Sequence, residues 1–156
     1  TLNGLSLSVG NQHLDNNILI DHFAPNCTSS QNFKSILEEN SSGVFNGKVI
    51  VRKDAQKTDA EQTNKNLLLS KKAVMNSNPQ MEIYADDVRC AHGSSTGELD
   101  KDALFYLCSR GLDAITARSL MIRGFATELL DSIKHEGIKN YLTKALDTWI
   151  MEKNKK

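Results

Sequence analysis

The segment Cys90-Ala91-His92 is the strongest candidate for chemistry in this sequence. On a β-strand, residues two positions apart face the same side, so Cys90 and His92 would share one face with Val88. A thiolate and an imidazole on one face are suitable ligands for a soft metal or an iron–sulfur cluster. The same pattern fits a half-buried strand end with an ordinary hydrogen-bonded histidine, and zinc sites usually supply paired cysteines. Spacing alone leaves both interpretations open and favours the ordinary structural role.

Other reactive side chains do not assemble into an active site in the sequence. Asp86 and Asp87 are adjacent, so on an extended chain their carboxylates point to opposite faces, and a turn is the simpler interpretation. No second histidine stands near His13 or His22 at ligand spacing, and His135 falls at a predicted helix C-terminus, where a partly cationic ring suits the dipole. The sequence has neither a Walker phosphate loop nor a Gly-x-Ser-x-Gly elbow. We therefore predict no catalytic activity of its own.

Charge and composition argue against several classes of protein. The 156 residues include 19 Lys+Arg and 19 Asp+Glu, a balance unlike that of proteins that grip nucleic acid or anionic membranes by bulk charge. No apolar run approaches the ~20 residues of a membrane helix. Cys27, Cys90 and Cys108 are odd in number and widely spaced, which predicts free thiols in a reducing, cytoplasmic setting. We expect no signal peptide after Thr1, and we expect the chain to be an excised piece of a longer one.

The chain divides by composition near Gly97, because 12 of the first 97 residues are Asn but only two of the last 59. Asn favours turns over helix interiors. Between the Asn, Gly and Ser clusters of the first part lie short runs of strand length, and Pro25 and Pro79 are expected in the gaps between them. These runs cover residues 5–9, 18–20, 43–45, 48–51, 67–69, 81–84 and 88–90. Many short strands predict an all-β module, either a sandwich or a solenoid.

From Asp100 onward the apolar period changes to that of helices. Asp100 and Asp113 are predicted N-caps of two helices; Gly111 stops the first, and Glu136-Gly137 ends the second. A third helix carries an amphipathic stripe, and residues 153–156 are expected to form a frayed tail. We therefore predict a β domain over residues 1–97 and a helical domain over residues 98–156. The stripe consists of Ile138, Tyr141, Leu142, Ala145, Leu146, Trp149 and Ile150.

Three groups of segments resemble one known family. They are residues 47–51 with 55–59 and 66–70, residues 79–93, and residues 104–111. In this order they resemble the C-terminal part of the SufD branch of the SufB/SufD family, scaffold subunits of the SUF system for iron–sulfur cluster assembly. The Gln-Lys-Thr-Asp and Phe-Tyr-Leu-x-Ser-Arg-Gly elements are shared with the SufB branch. The Ile-Tyr-Ala-Asp-Asp-Val-x-Cys-x-His-Gly element, residues 83–93, indicates SufD.

The resemblance implies a right-handed parallel β-helix followed by a C-terminal helical region, and no enzyme activity. It implies a SufB-like partner that pairs through the β-helices and a SufC-like ABC-type ATPase that docks on the helical region. It also places Cys90 and His92 at or near the interface where a nascent cluster forms. The expected cofactor is thus a transient iron–sulfur cluster, shared with the partner and not held stably by this chain. In the helical part we expect Met121, Phe125 and Trp149 to contact the ATPase.

Two further expectations complete the analysis. A second class of function, an enzyme on a β-solenoid such as an acyltransferase, would need a catalytic histidine within hexapeptide repeats, which the sequence lacks. An exposed first turn of a β-helix would leave strand edges and apolar interior uncovered, so we expect this chain to self-associate, for example as a homodimer.

Overall fold

The structure of the chain is a computed structural model that describes residues 1–153. The predicted frayed tail, residues 153–156, lies outside the described residues beyond Lys153. Two compact units divide the chain between Glu98 and Leu99. The first unit is built from strands and the second from helices, which confirms the predicted fold class, a β-solenoid followed by an all-α region.

The first unit is a parallel solenoid of about three turns, with two strands in each turn. One sheet has the strand order β1-β3-β5-β7 and the other has the order β2-β4-β6. Residues on successive turns pair at offsets of 29 to 32 positions; Leu2 pairs with Gln31, and Ser42 pairs with Val74. The strands are β1 (Leu2–Ser8), β2 (His13–His22), β3 (Thr28–Leu37), β4 (Ser42–Val51), β5 (Asp59–Leu68), β6 (Val74–Ile83) and β7 (Arg89–Glu98).

Strand β4 forms the centre of its sheet, and every second residue along it is buried. Its inward residues include Phe45 and Val49, while its outward residues include Asn46 and Lys48. Phe45 packs against Phe33 of the opposite sheet, with ring centroids 5.2 Å apart. The apolar core near the strand ends contains Val49, Val51, Ala55, Ala60 and Ala85. The strand covers two of the runs predicted from the sequence, residues 43–45 and 48–51, and continues between them through Asn46 and Gly47.

Two features of the strands differ from the sequence-based expectation. Strand β3 was not among the predicted runs, because its inward residues include the polar Gln31 and Ser35, so no apolar alternation marks it. Pro79 was expected in a gap, yet it lies inside β6, paired with Gly47. Among the described residues β6 is an edge strand, and an edge strand tolerates a residue that lacks an N–H donor.

The outer surface of the second sheet carries a column of asparagines on successive turns. The Asn46 side-chain amide donates to Asn17 Oδ1 at 3.0 Å, and the Asn78 amide donates to Asn46 Oδ1 at 3.4 Å. Such a ladder pairs side-chain amides between strands, as the backbone hydrogen bonds do in the sheet. The Asn-rich composition of the first part therefore contributes to the strand surfaces as well as to the turns.

The helical unit contains α1 (Lys101–Ser109), α2 (Ala114–Leu130) and α3 (Glu136–Lys153). Asp100 and Asp113 cap the first two helices as predicted, accepting hydrogen bonds from backbone N–H groups. Gly111 follows α1 with a φ of 97°, a conformation that favours glycine. The buried residues of α2 are Ala117, Ile122, Ala126, Leu129 and Leu130. None of the described helices is long and apolar enough to cross a membrane.

The end of α2 was predicted wrongly at Glu136-Gly137, since the helix ends at Leu130 and Gly137 lies in the first turn of α3. The prediction that His135 ends a helix was also wrong. His135 precedes α3, and its Nδ1 accepts a hydrogen bond from the Ile138 N–H at 3.4 Å. The His135 ring therefore acts as an N-cap side chain, because it accepts a hydrogen bond from a backbone N–H that has no partner within the helix.

The apolar stripe of α3 is only partly buried. Leu146 and Ile150 are buried, whereas Ile138 and Tyr141 are 52% and 74% exposed. An amphipathic stripe longer than the surface that covers it leaves an apolar patch in solvent. The first half of α3 therefore presents apolar side chains that its own unit does not use.

Candidate functional site at the end of the solenoid

Cys90 and His92 lie on β7, the last strand of the larger sheet. Cys90 pairs with Ala60 of β5, and His92 pairs with Gln62. Ala60 and Gln62 are both buried inside the solenoid, and side chains at paired positions of parallel strands point the same way. Cys90 and His92 therefore face the interior, which is open at β7 because no further described strand pairs beyond it.

The Cys90 thiol packs on the edge of the apolar core. It is half-buried and lies against the cluster that contains Val49, Val51 and Ala60. Burial raises the pKa of the Cys90 thiol, and the nearby Asp59 charge raises it further, while a hydrogen bond with the Ala60 backbone acts in the opposite direction. The thiol is therefore protonated at neutral pH. Because the thiolate is the form that ligates a metal, binding must displace its proton.

The His92 side chain is exposed, and within residues 1–153 it makes no hydrogen bond or ion pair. Its strand neighbours are exposed as well, and a Cβ placed at Gly93 or Gly97 would meet nothing within 4 Å. Apolar side chains of the solenoid do not enclose the ring, so the ordinary role of a satisfied core histidine does not fit it. The imidazole is available to a ligand or to a partner molecule.

As ligands of a cluster, the two side chains would make an incomplete set. Residues two apart on a strand are separated by about 6.6 Å along the chain, so a thiolate and an imidazole at this spacing can approach one bound group from the same side. No cluster of three or more His, Cys, Asp or Glu side chains suited to a metal ion occurs in the described part of the chain. Iron–sulfur clusters are commonly held by four protein ligands, so this pair alone would leave a cluster half-coordinated.

The turn before β7 is tied to the Gln-Lys-Thr-Asp element of the previous turn. Gln56 Oε1 accepts a hydrogen bond from the Asp87 N–H at 2.9 Å, and the Lys57 N–H donates to the Asp87 carbonyl at 2.6 Å. Lys57 adopts a φ of 59°, and the buried Thr58 hydroxyl donates to the Ala55 carbonyl at 2.8 Å. The element is therefore a structural corner that fixes where β7, and with it Cys90 and His92, begins.

A polar network lines the interior beside His92, and the sequence analysis missed it. Ser94 and Ser77 hydroxyls are 2.7 Å apart, which joins β7 to β6 across the interior. The Ser77 hydroxyl donates to Asn64 Oδ1 at 2.6 Å, and Asn64 also accepts from the Asn66 amide at 2.7 Å. Buried amides at alternate positions of β5, residues 62, 64 and 66, were the available signal, because a half-buried strand would normally place apolar residues there.

The residues predicted to contact an ATPase are all half-buried. Met121 and Phe125 lie on α2, and Trp149 lies on α3. Leu120 of α2 and Met151 of α3 are more accessible than these three residues, at 50% and 63% exposed. They line a groove of about 320 Å³ between α2 and α3, together with Thr116, Ser119, Arg123, Asp147 and Ile150. An ion pair between Arg123 and Asp147 lines this groove.

Comparisons with known proteins identify a family. Residues 1–125 match the family described as "SUF system FeS cluster assembly, SufBD core domain". The iron–sulfur cluster assembly protein SufD of Escherichia coli is 41% identical over 138 residues, covering 88% of this chain and 33% of that protein. A SufBD family iron–sulfur cluster assembly protein of Synechocystis is 40% identical over 142 residues, covering 91% of this chain and 31% of that protein. The SufD of Bacillus subtilis is 35% identical over 112 residues, covering 72% of this chain and 26% of its own length. The chain thus spans between a quarter and a third of the length of these relatives, and it belongs to the SufBD family.

Proposed function

We propose that this chain acts as part of a SufD-type scaffold subunit in iron–sulfur cluster assembly. Its family membership supports a role in this process. The single observation that carries the finer proposal is the position of Cys90 and His92. Both side chains face the open end of the solenoid on the last described strand, where they would supply two of the four ligands of a cluster.

A SufB-like subunit is the partner proposed for the open end. Strand β7 pairs with β5 on one side, and within the described residues no strand occupies its other side. Such an edge presents backbone donors and acceptors that another chain can pair with. A partner seated there would bring its own side chains beside Cys90 and His92 and complete the four-ligand set. The cluster is then a cargo assembled between two subunits, and this chain alone retains none.

A SufC-like ABC-type ATPase is the partner proposed for the helical unit. Half-buried Met121, Phe125 and Trp149 stand beside more exposed apolar residues of the same helices. Aromatic and methionine side chains are frequent anchors in helix-binding grooves. The groove between α2 and α3 adds Leu120 and Met151 to the residues through which the ATPase would dock.

The subunit acts without catalysis of its own in this proposal, and it works in the cytoplasm. The described residues contain no cluster of ligands for a resident metal ion, and within residues 1–153 no carboxylate hydrogen-bonds His92 to orient it as a general base. Energy for the assembly process would come from ATP hydrolysis by the docked ATPase, and the scaffold would supply ligands and geometry.

Cluster maturation in cells that lack the native subunit tests the site. We expect the double variant Cys90→Ala, His92→Ala to lose complementation while its circular dichroism stays that of the wild type, because His92 is exposed and Cys90 lies only at the half-buried edge of the core, so truncating them removes little packing. The matched control is Cys27→Ala, His13→Ala, which removes a half-buried cysteine and an exposed histidine elsewhere on the solenoid. Full activity of the first variant would refute the proposed site.

Affinity capture tests the partners separately. The chain is co-expressed with the SufB-type subunit and the SufC-type ATPase of the same cell, and each is captured in turn. We expect Met121→Ala, Phe125→Ala to weaken ATPase capture without affecting the SufB-type subunit. Capture of neither protein by the folded wild-type chain would contradict the scaffold proposal.

A further inference from the structure

A column of inward side chains runs directly beneath His92. Gln31 of β3 pairs with Gln62 of β5, and Gln62 pairs with His92 of β7. Adjacent strands are about 4.8 Å apart, so each side chain of the column lies within reach of the next. Gln31 and Gln62 are 1% and 0% exposed, which makes this a buried polar column that ends in an exposed imidazole.

A side-chain hydrogen bond joins the two glutamines, with Gln62 as the donor and Gln31 as the acceptor. Gln62 Nε2 donates to Gln31 Oε1 at 3.1 Å. Gln31 Oε1 therefore accepts from the following turn, and in an amide ladder, where each group donates to one neighbour and accepts from the other, Gln62 Oε1 would do the same. The next member of the column after Gln62 is His92.

The Gln62 side chain ends in a buried acceptor without a partner. Of the described residues, none donates a hydrogen bond to Gln62 Oε1. A buried polar atom left without a partner is costly, and native proteins rarely leave one unsatisfied. Gly47 on the opposite sheet leaves the space that the Gln62 amide fills, since a Cβ there would overlap Gln62 Nε2. The Gln62 amide therefore fills this space and bonds Gln31 through its nitrogen, while its oxygen has no partner among the described residues.

We infer that Gln62 is a positioning residue for His92, accepting a hydrogen bond from one ring nitrogen so that the other is presented at the open end of the solenoid. Rotation of the exposed His92 side chain brings a ring nitrogen to Gln62 Oε1. Metal-binding histidines commonly donate their second ring N–H to such an acceptor, which fixes the tautomer and orients the ring. This role rests on the proposed function of His92, whereas the hydrogen bond itself does not.

The tautomer of His92 is the measurement that isolates this role. Ring nitrogens of the full chain, labelled with ¹⁵N-histidine, are observed by NMR at about pH 8.5, where histidine is neutral. A His92→Gln variant assigns the signals, and a peptide of residues 88–96 gives the tautomer ratio of a solvated ring. We expect the wild-type ratio to differ from that of the peptide by about five-fold, which corresponds to a net hydrogen bond of about 1 kcal/mol.

Three variants separate a positioning role of Gln62 from a non-specific effect of its substitution on the solenoid structure. Gln62→Met removes the acceptor with little change in side-chain length, and we expect it to return His92 to the ratio of the peptide. Gln31→Met removes the hydrogen bond one turn further away while Gln62 keeps its acceptor oxygen, so it should change the wild-type ratio less than Gln62→Met does. If Gln62→Met fails to fold, Gln62→Asn takes its place, because it draws the acceptor oxygen back by one methylene. We expect it likewise to return His92 to the tautomer ratio of the peptide.

Each of these results tests the positioning role of Gln62 independently of the proposed function in cluster assembly. A wild-type ratio equal to that of the peptide, no change in the Gln62 variants, or an equal change in Gln31→Met would overturn the positioning role of Gln62. None of these depends on complementation by the His92 variants, which tests the proposed function itself. If His92→Ala loses complementation but Gln62→Met leaves the tautomer ratio unchanged, the proposed role of His92 stands and the positioning role of Gln62 is refuted.

Discussion

The substitution Gly47→Ala tests how the solenoid interior holds its shape. Gly47 lies at an inward position of β4 and is buried. A Cβ added there would overlap Gln62 Nε2 and lie 2.7 and 2.8 Å from ring carbons of Phe45. Gln62 and Phe45 are 0% and 1% exposed, so both neighbours are enclosed within the packed interior.

The expected magnitude follows from two opposing effects. Replacing glycine by alanine at a compatible backbone conformation stabilises a protein by about 0.4–1 kcal/mol through the unfolded state. Forcing an extra methyl group into a packed interior costs about 1–3 kcal/mol. Because the methyl group meets two buried neighbours at once, we expect overpacking to dominate and the free energy of unfolding to fall by about 1–2 kcal/mol.

Two other glycines of the same solenoid provide matched controls. A Cβ at Gly97 would meet nothing within 4 Å, so Gly97→Ala should be neutral or slightly stabilising. At Gly43 the nearest atom is Met75 Sδ at 2.7 Å, the end region of a flexible, half-buried side chain that can move aside. Gly43→Ala should therefore cost less than Gly47→Ala.

Urea unfolding followed by circular dichroism measures the series, since a change in midpoint at constant slope reports stability. The single tryptophan, Trp149, belongs to α3, so its fluorescence reports the helical unit. We expect Gly47→Ala to shift the β-sheet transition and to leave the fluorescence transition in place if the units unfold separately. Equal stability of Gly47→Ala and Gly97→Ala would refute the reasoning about the interior.

Three further predictions concern the corner, the pH response and the thiol. Thr58→Val removes the buried hydroxyl bond to the Ala55 carbonyl and should lower the free energy of unfolding by about 1–2 kcal/mol in the same urea experiment; an unchanged midpoint would contradict this. Burial lowers the pKa of His22 in the folded chain, and the charge of Asp21 opposes this effect. As the pH falls, the unfolded chain therefore takes up this proton before the folded chain does. Stability should therefore fall as the pH drops below about 6.5, and His22→Gln should remove that part of the slope; an identical slope in the variant would show that other groups cause it. Because the pKa of the Cys90 thiol is raised, iodoacetamide should alkylate it more slowly at neutral pH than it alkylates glutathione, as measured by mass spectrometry; equal rates would contradict the assigned environment.

Local signals in the sequence predicted the elements that depend on local chemistry. The caps Asp100 and Asp113 were predictable because a carboxylate before an apolar period satisfies the first backbone donors of a helix. Strand β4 was predictable because its interior is apolar at every second position. Strand β3 was not, because the buried Gln31 and Ser35 lie at its inward positions, and Gln31 finds its hydrogen-bond partner on the neighbouring turn, a non-local effect that periodicity cannot reveal.

The candidate site was predictable only in part for the same reason. The spacing of Cys90 and His92 predicted that both share one face of a strand, and β7 confirms that they lie on one strand. Which face they share depends on the register between β5 and β7, which aligns them with buried Ala60 and Gln62. The partner atom beneath His92 comes from a residue 30 positions earlier, so no local pattern in the sequence indicates it.

The unequal turn lengths of the solenoid have a consequence for how this fold can evolve. Six of the seven strands have ten residues each, while the corners between them range from the short segment 38–41 to the longer segment 52–58. An insertion of one residue within a strand would reverse every inward side chain beyond it. The same insertion in a corner leaves the columns intact, so gains and losses of sequence among homologues should concentrate at the corners, and whole turns of about 30 residues should be the natural unit of duplication.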